Sequence, residues 1–389
     1  MEKLIDSFAA LYGERDDIRI YSAPGRVELG GNHTDHQGGC VLAASVTLDM
    51  RAAVAKNGSD IIRVTSEGYP QIEIDINALS PREDEKNTTA SLIRGVAEGM
   101  AKRGKKLSGV DMYIVSDVLR GSGLSSSAAF EVLVGTALSD MFDAGLSAVE
   151  IAEIGQYAET VHFGKPSGLM DQTASSVGGI VAIDFSKHPA KIEKLEVDIK
   201  SFGYDLVIID AGADHADLTE EYASIPHEMK SVAEFFGKKL LSEVSEDKFY
   251  KDIASVREKV GDRAVLRAVH YFRDTRRAVR EAELLRRGDF EGFLSLISAS
   301  GDSSFKYLQN IYVAGAIENQ AMAYALAVCE ELLSGRGAVR IQGGGFGGTL
   351  EAFVHCDMTE DFVRGIDRMI GKDMCKVLSI RKDGGVRLR

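Results

Sequence analysis

The run Gly121-Ser-Gly-Leu-Ser-Ser-Ser-Ala128 packs two glycines and four serines into one short stretch. Glycine lets the backbone approach a ligand and turn its N–H groups toward it, and each serine adds a hydroxyl that can donate, accept or hold a metal ion. Residues 110–116 before it alternate apolar and polar side chains as a half-buried strand does, and residues 128–142 after it carry apolar side chains at helical spacing. Strand, loop and helix in that order aim the unpaired N–H groups of the first helical turn, and the positive end of the helix dipole, at whatever the loop holds. The chemistry this suits is the gripping of phosphate. Taken alone, the loop reads equally well as a capped helix start. No Gly-Lys-Ser/Thr follows, so it is not a Walker A loop.

Three further stretches carry chemistry. Ala23-Pro-Gly-Arg-Val-Glu-Leu-Gly-Gly-Asn-His-Thr-Asp-His-Gln-Gly-Gly39 has turn composition between apolar strands at 18–23 and 41–54, and bears Arg26, Asn32, His33, Asp35 and His36. Such a density of polar groups marks a ligand site, with simple pairing of Arg26 to Glu28 or Asp35 as the plain alternative. His33 and His36 lack further ligands nearby and make a poor metal cluster. Gly343-Gly-Gly-Phe-Gly-Gly348 matches G-x-G-x-x-G, but a strand pattern at 349–355 follows where a dinucleotide site requires a helix. Five glycines in this stretch exceed the needs of a hairpin and point to close backbone approach. Asp171 stands among Leu169, Met170 and Ala174 at the start of a short helix that follows Pro166 and Gly168. It either caps that helix or serves as an acid/base group, and the residues alone leave both open.

The elements that must position these groups fill 389 residues, a length that favours two domains. The polar, Lys/Glu-rich stretch 187–201 places the boundary between 1–195 and 196–389. Strands at 61–66, 71–75, 179–185, 205–210 and 338–342 alternate with helices at 4–12, 89–103, 147–163, 217–234, 289–300 and 319–334. The Arg/Glu mixture of a long helix at 263–287 reads as a solvated face. A net charge of −13 argues against a nucleic-acid or an anionic membrane surface. An acidic chain that binds a polyphosphate must therefore use N–H groups, a few cations and a metal ion. Cys40, Cys329, Cys356 and Cys375 form no Cys-x-x-Cys pair, so neither a disulfide framework nor a zinc site is expected. With no basic-then-apolar leader and no apolar run of membrane-spanning length, a cytoplasmic enzyme is the simplest setting.

The stretches, in this order and over nearly the whole chain, resemble the superfamily of galactokinase, homoserine kinase, mevalonate kinase and phosphomevalonate kinase, and galactokinases most closely within it. Pro24 to Asp35 resembles the sugar signature, Gly121 to Ala128 the ATP-phosphate motif, Gly168-Leu-Met-Asp-Gln172 the stretch with the catalytic aspartate, and Gly343 to Gly348 the third motif. The resemblance implies an α/β fold of the α+β type, with two domains and the active site in the cleft between them. It implies an ATP-dependent sugar 1-kinase, most simply for galactose, using Mg²⁺ and acting as a monomer. By it, Asp171 is catalytic with Arg26 beside it, and Ser127 and Glu159 hold Mg²⁺. Arg26, Asn32, His33, Asp35, Gly168, Asp171 and Tyr222 meet the sugar. Gly121, Ser122, Gly123, Leu124, Ser125, Ser126, Ser127, Ala128, Gly344 and Gly345 meet ATP. One position departs: Asn32 stands where the family usually has a glutamate that contacts the C6 hydroxyl end of galactose. A neutral amide there opens a galacturonate-type sugar as the rival substrate. A non-catalytic sugar sensor is the rival class, and such relatives lack the pair that this chain keeps as Ser127-Ala128.

Overall fold

The computed structural model describes residues 1–118, 123–165, 167–212 and 218–389. Among these, the strands form two sheets. The first contains β1 (Arg19–Gly30), β2 (Cys40–Lys56), β3 (Ile61–Ser66), β4 (Ile72–Asp75), β5 (Val110–Ser116), β6 (Ile180–Asp184) and β7 (Lys191–Leu195). The second contains β8 (Tyr204–Asp210), β9 (Gly337–Ile341), β10 (Thr349–His355) and β11 (Cys375–Leu378), in the order β11-β8-β10-β9. A last strand, β12 (Val386–Arg387), returns to the edge of the first sheet and pairs with β1.

Strand β2 organises the first sheet. Its one edge pairs with β1, and its other edge is shared between β5, opposite residues 50–56, and β6, opposite residues 40–44. Helices Thr89–Lys102, Ser126–Met141, Ala148–Tyr157 and Met170–Val177 pack together over this sheet. Their apolar faces (Leu92, Val96, Leu133, Leu138 and Ile154) join a core that continues through Leu206, Ile208 and Phe353 of the second sheet. The two sheets are therefore tied by shared apolar burial, the dominant favourable term in folding. The mixed α/β architecture with two sheet-based halves agrees with the expected fold class.

Four expectations need correction. The turn-rich stretch 23–30 is strand: β1 runs through Pro24-Gly-Arg26 and accommodates it by register shifts between Pro24 and Arg26 and between Glu28 and Gly30. Such bulges re-aim side chains, here Arg26 and Glu28. The polar stretch 187–201 contains β7. The helix expected to span 147–163 is α-helical only to Tyr157 and closes in a π-turn at Ala158–Phe163. The supposedly solvated helix, Asp262–Arg287, buries Arg267, His270, Asp274 and Glu281 completely. No helix among the described residues is long and apolar enough to cross a membrane.

Candidate active site

The first glycine loop meets β1 edge-on. The backbone N–H of Arg26 donates to Leu124 O at 3.0 Å, and a side chain at Gly25 would press on that same carbonyl at 3.1 Å. Gly25 is thus set by close approach, and the contact places the Arg26 side chain against the start of helix Ser126–Met141. Arg26 grips Asp171 with both prongs: Nε to Oδ1 at 2.6 Å and Nη2 to Oδ2 at 2.8 Å. Its remaining prong reaches Gly123 O. Ser125, held in the left-handed region at φ 55°, donates Oγ–H to Asp171 Oδ2 at 2.7 Å. Burial pushes the Asp171 carboxyl up, but the Arg26 charge and its two hydrogen bonds, with Lys165 and Ser125, outweigh it and leave the pKa below the usual carboxylate range. Asp171 is therefore ionised at neutral pH and free to accept a proton or a hydrogen bond from a ligand.

A second carboxylate lies behind the helix start. Glu159, turned inward by the π-turn, accepts from Ser127 Oγ at 2.9 Å, Lys165 Nζ at 3.1 Å, Ser167 Oγ at 2.7 Å and Gln172 Nε2 at 2.9 Å. Gln172 also donates to Glu131 Oε2 at 2.9 Å, and burial together with the Glu159 charge pushes Glu131 well above the usual range. The oxygens of Ser127 and Glu159 are hard donors of the kind Mg²⁺ accepts. Among the described residues no cluster of three or more His, Cys, Asp or Glu side chains could hold a metal.

The third glycine loop closes the arrangement. Gln342 Nε2 donates to Gly123 O at 3.1 Å and to Thr349 Oγ1 at 2.7 Å, so the first and third loops touch. Between them lies a cleft of about 270 Å³ whose walls include Arg26, Ser125, Ser127, Lys165, Asp171 and the glycines from 343 onward. His33 bonds Gly344 O through Nε2 at 2.9 Å, and Tyr222 donates its hydroxyl to Gly345 O at 2.8 Å. A carbonyl only accepts, so His33 carries its proton on Nε2; burial holds its pKa down at about 4, and the ring is neutral. A side chain on Gly168 would run into Asp35 Oδ2, which places that backbone and Asp35 together. Burial pushes Asp35 up to about 6, and the neighbouring Asp171 charge adds to the shift. Asn32 is different: it is fully enclosed, and its amide is used up by Glu28, Gly343, Asn310 and Ser304.

The family described as GHMP kinases N terminal domain matches residues 91–179, and the one described as Galactokinase galactose-binding signature matches residues 6–56. The galactokinase of Glaesserella parasuis serovar 5 is 29% identical over 366 residues, covering 92% of this chain and 90% of its own. That of Streptomyces coelicolor is 29% identical over 369 residues, covering 93% and 91%. The chain thus carries a GHMP kinase N-terminal domain over residues 91–179 and a galactokinase galactose-binding signature over residues 6–56. In fold it is similar to the crystal structure of Lactococcus lactis galactokinase complexed with galactose, with TM-score 0.86, 23% identity and 100% and 99% of the two chains covered. Methanococcus jannaschii mevalonate kinase is more distant, at TM-score 0.63 and 15% identity, with 94% and 99% covered. The chain is an ATP-dependent sugar kinase, and ATP is its co-substrate.

In this kinase the structure brings together Arg26, Gly123, Leu124, Ser125, Ser126, Ser127, Ala128, Glu159, Asp171, Gly344 and Gly345 around the loops and cleft. Gly121 and Ser122 lie outside the described residues. Sequence reasoning passed over Lys165, which lines the cleft and donates to Glu159. The signal was its place in Gly164-Lys-Pro166, directly after the turn that carries Glu159. It also passed over Gln172 and Glu131, which stand behind Glu159, and Gln342, which joins two loops. A glutamine beside Asp171 carries no periodicity or charge to flag it.

Proposed function

We propose that this kinase transfers the γ-phosphoryl group of ATP to the C1 hydroxyl of galactose, giving galactose 1-phosphate and ADP. The observation that supports this most is the Arg26–Asp171–Ser125 cluster: an ionised carboxylate, braced by a guanidinium, at the mouth of two glycine loops. The sugar sits against Asp35, Gly168 and Asp171, within the segment that carries the galactose-binding signature or beside it. Its C1 hydroxyl donates to Asp171. As the new oxygen–phosphorus bond forms and the β,γ-bridging bond breaks, the hydroxyl proton passes to the carboxylate and ADP leaves. Phosphoryl transfer asks little covalent work of the protein, so positioning and charge stabilisation dominate. The N–H groups of the Ser126–Met141 helix start and the third glycine loop, with Arg26 and Lys165, face the phosphates. Ser127 and Glu159 would hold Mg²⁺, which when bound would neutralise negative charge on the phosphates. Residues 1–195 and 196–389 act as the two halves that enclose this cleft.

The test is a substrate screen. ADP release is followed with ATP, Mg²⁺ and, in turn, galactose, galacturonate, arabinose, glucose and N-acetylgalactosamine. Galactose is expected to give the highest kcat/KM. A higher value with galacturonate would overturn the choice of sugar, and ADP release with none of them would overturn the reading.

A further inference from the structure

Three consecutive carbonyls of the third glycine loop are each capped by a side chain from another part of the chain. Gly343 O accepts from Asn32 Nδ2 at 2.7 Å, Gly344 O from His33 Nε2 at 2.9 Å and Asn310 Nδ2 at 3.3 Å, and Gly345 O from the Tyr222 hydroxyl at 2.8 Å. By contrast, the N–H groups of Gly343, Gly344 and Gly345 have no acceptor among the described residues, and all three glycines line the cleft. A backbone with its carbonyls tied inward and its N–H groups unused is built to receive an anion. Left-handed residues keep it in that shape: Gly343 at φ 72°, Gly345 at φ 86° and Phe346, a non-glycine, at φ 57°. Left-handed backbone at a bulky residue persists only where its surroundings enforce it. Here the enforcing group is Asn310, whose carbonyl accepts the Phe346 N–H and lies where any side chain on Gly345 would have to go.

Asn310 is completely buried and belongs to none of the motifs in the sequence. Its Nδ2 also donates to Asn32 Oδ1 at 2.9 Å, and Asn32 in turn donates to Glu28 Oε1 on β1 at 2.8 Å. The two amides thus form one brace from β1 to the glycine loop. We infer that Asn310 and Asn32 are positioning residues that aim the N–H groups of Gly343–Gly345 at the nucleotide phosphates, and that Asn32 does this in place of contacting the sugar. An amide suits the position because it must donate twice, to Glu28 and Gly343, and accept from Asn310. A glutamate at the position would set a second carboxylate against Glu28 and could donate to neither.

The inference rests on the proposed phosphoryl transfer, but its test reads binding directly. ATP and galactose affinities of the whole chain are measured by calorimetry for the parent, Asn310→Asp and Asn310→Ser, alongside KM for each substrate. In Asn310→Asp, ATP affinity is expected to fall about tenfold, the loss of one buried donor, while galactose affinity changes less than about threefold at that same scale. Asn310→Ser keeps a shorter donor and is expected to recover part of the loss, and it serves as the readout should the aspartate variant not fold. Asn32→Ser is expected to follow Asn310→Ser, with ATP affinity weakened more than sugar affinity. Unchanged ATP affinity in folded variants, or equal losses for ATP and sugar, overturns the inference. Failure of the parent to bind galactose while these ATP shifts appear would count against the sugar assignment and leave the brace standing.

Discussion

Carboxyl groups in this kinase answer enclosure in opposite ways: Asp171, its side chain 22% exposed at the cleft, against Glu281 and Glu351, which are fully buried. Asp171 receives two hydrogen bonds from Arg26 and one from Ser125, and its pKa ends below the usual range although burial drives it up. Glu281 and Glu351 sit where helix Asp262–Arg287 and β10 meet β1 and β9, and none of their carboxylate oxygens has a hydrogen-bond partner. Burial pushes Glu281 up to about 8 and Glu351 well above the usual range, although Arg340 lies near both. At Asp171 the paired guanidinium outweighs enclosure; at Glu281 and Glu351, which lack direct donors, enclosure prevails. Donors do not win everywhere: Glu28 accepts from Arg340 and Asn32, and burial still pushes it up to about 7. The cleft spends its cations where an ionised oxygen is needed, and the junction between the sheets keeps its acids neutral.

The contrast breaks most visibly at Asp171. Asp171→Asn keeps the shape and removes the acceptor that stays ionised, so kcat is expected to fall at least about a thousandfold, within the range of removing a catalytic base. ATP affinity should stay near the parent value, because the glycine loops are untouched. Near-normal turnover by this variant would end the assignment.

Arg26→Lys sharpens the same point. The two-pronged grip becomes a single point charge, and lysine is not a substitute where a fork is needed. Turnover at pH 7 is expected to fall by about ten- to a hundredfold, less than for loss of Asp171 itself. The sign of the pH effect follows from the shift. In the proposed role Asp171 must be ionised, Arg26 holds its pKa low, and weakening that hold moves the acid limb of the kcat profile to higher pH. A variant whose acid limb stays in place would mean that Arg26 acts on the phosphates and not through Asp171.

Ser127→Ala is the milder companion, since it removes one of the two oxygens proposed to hold Mg²⁺ and leaves Glu159 with its other donors. The Mg²⁺ concentration for half-maximal rate is expected to rise about tenfold, the scale of one metal-site partner. An unchanged Mg²⁺ requirement would take Ser127 out of the ion's shell.

The active side of the comparison was far more legible in the sequence than the silent side. Glycines at 121, 123, 343–345, 347 and 348 flag themselves, because only close approach or left-handed backbone explains so many; Gly345 and Gly168 each meet a neighbour that blocks a side chain, and Gly25 meets one that would crowd it. The strand β5 and the helix after the first loop followed from period alone. Stretch 23–30 did not, because Pro24 and its glycines imitate a turn when in fact they bulge a strand around Leu124. Helix Asp262–Arg287 misled for a different reason. Arg267, His270, Asp274 and Glu281 recur in phase with Ala264, Ala268, Ala278 and Ala282, so the polar residues lie on the buried stripe. Charge content alone suggests solvent, and only the phase against the small residues shows that they face inward. Asn310 had no local signal, since its role depends on a loop 33 or more positions away that folds back onto it.

The smallest expected effect tests the silent side. Glu281 has a folded pKa of about 8 against an ordinary 4.5, so between those values the folded chain holds a proton that the unfolded chain has lost. Its contribution to stability is complete below the unfolded value and disappears as pH rises through about 8, at up to about 1.4 kcal/mol per pH unit. Glu28, pushed up to about 7 by burial, acts with the same sign. His33, His36 and His270, whose pKa values burial lowers, act with the opposite sign below their unfolded value, so the parent's melting curve mixes the two. Glu281→Gln isolates one term, because the amide keeps the volume and cannot ionise. Its Tm minus that of the parent is expected to climb by a few degrees from pH 5 to pH 8, at roughly 1 °C for each kcal/mol, because the melting entropy grows with length at about 2.1 cal/mol/K per residue over the 389 residues. A difference that stays flat across that range would mean that Glu281 finds a donor on folding, and the line drawn between the two carboxyl sets would have to be moved.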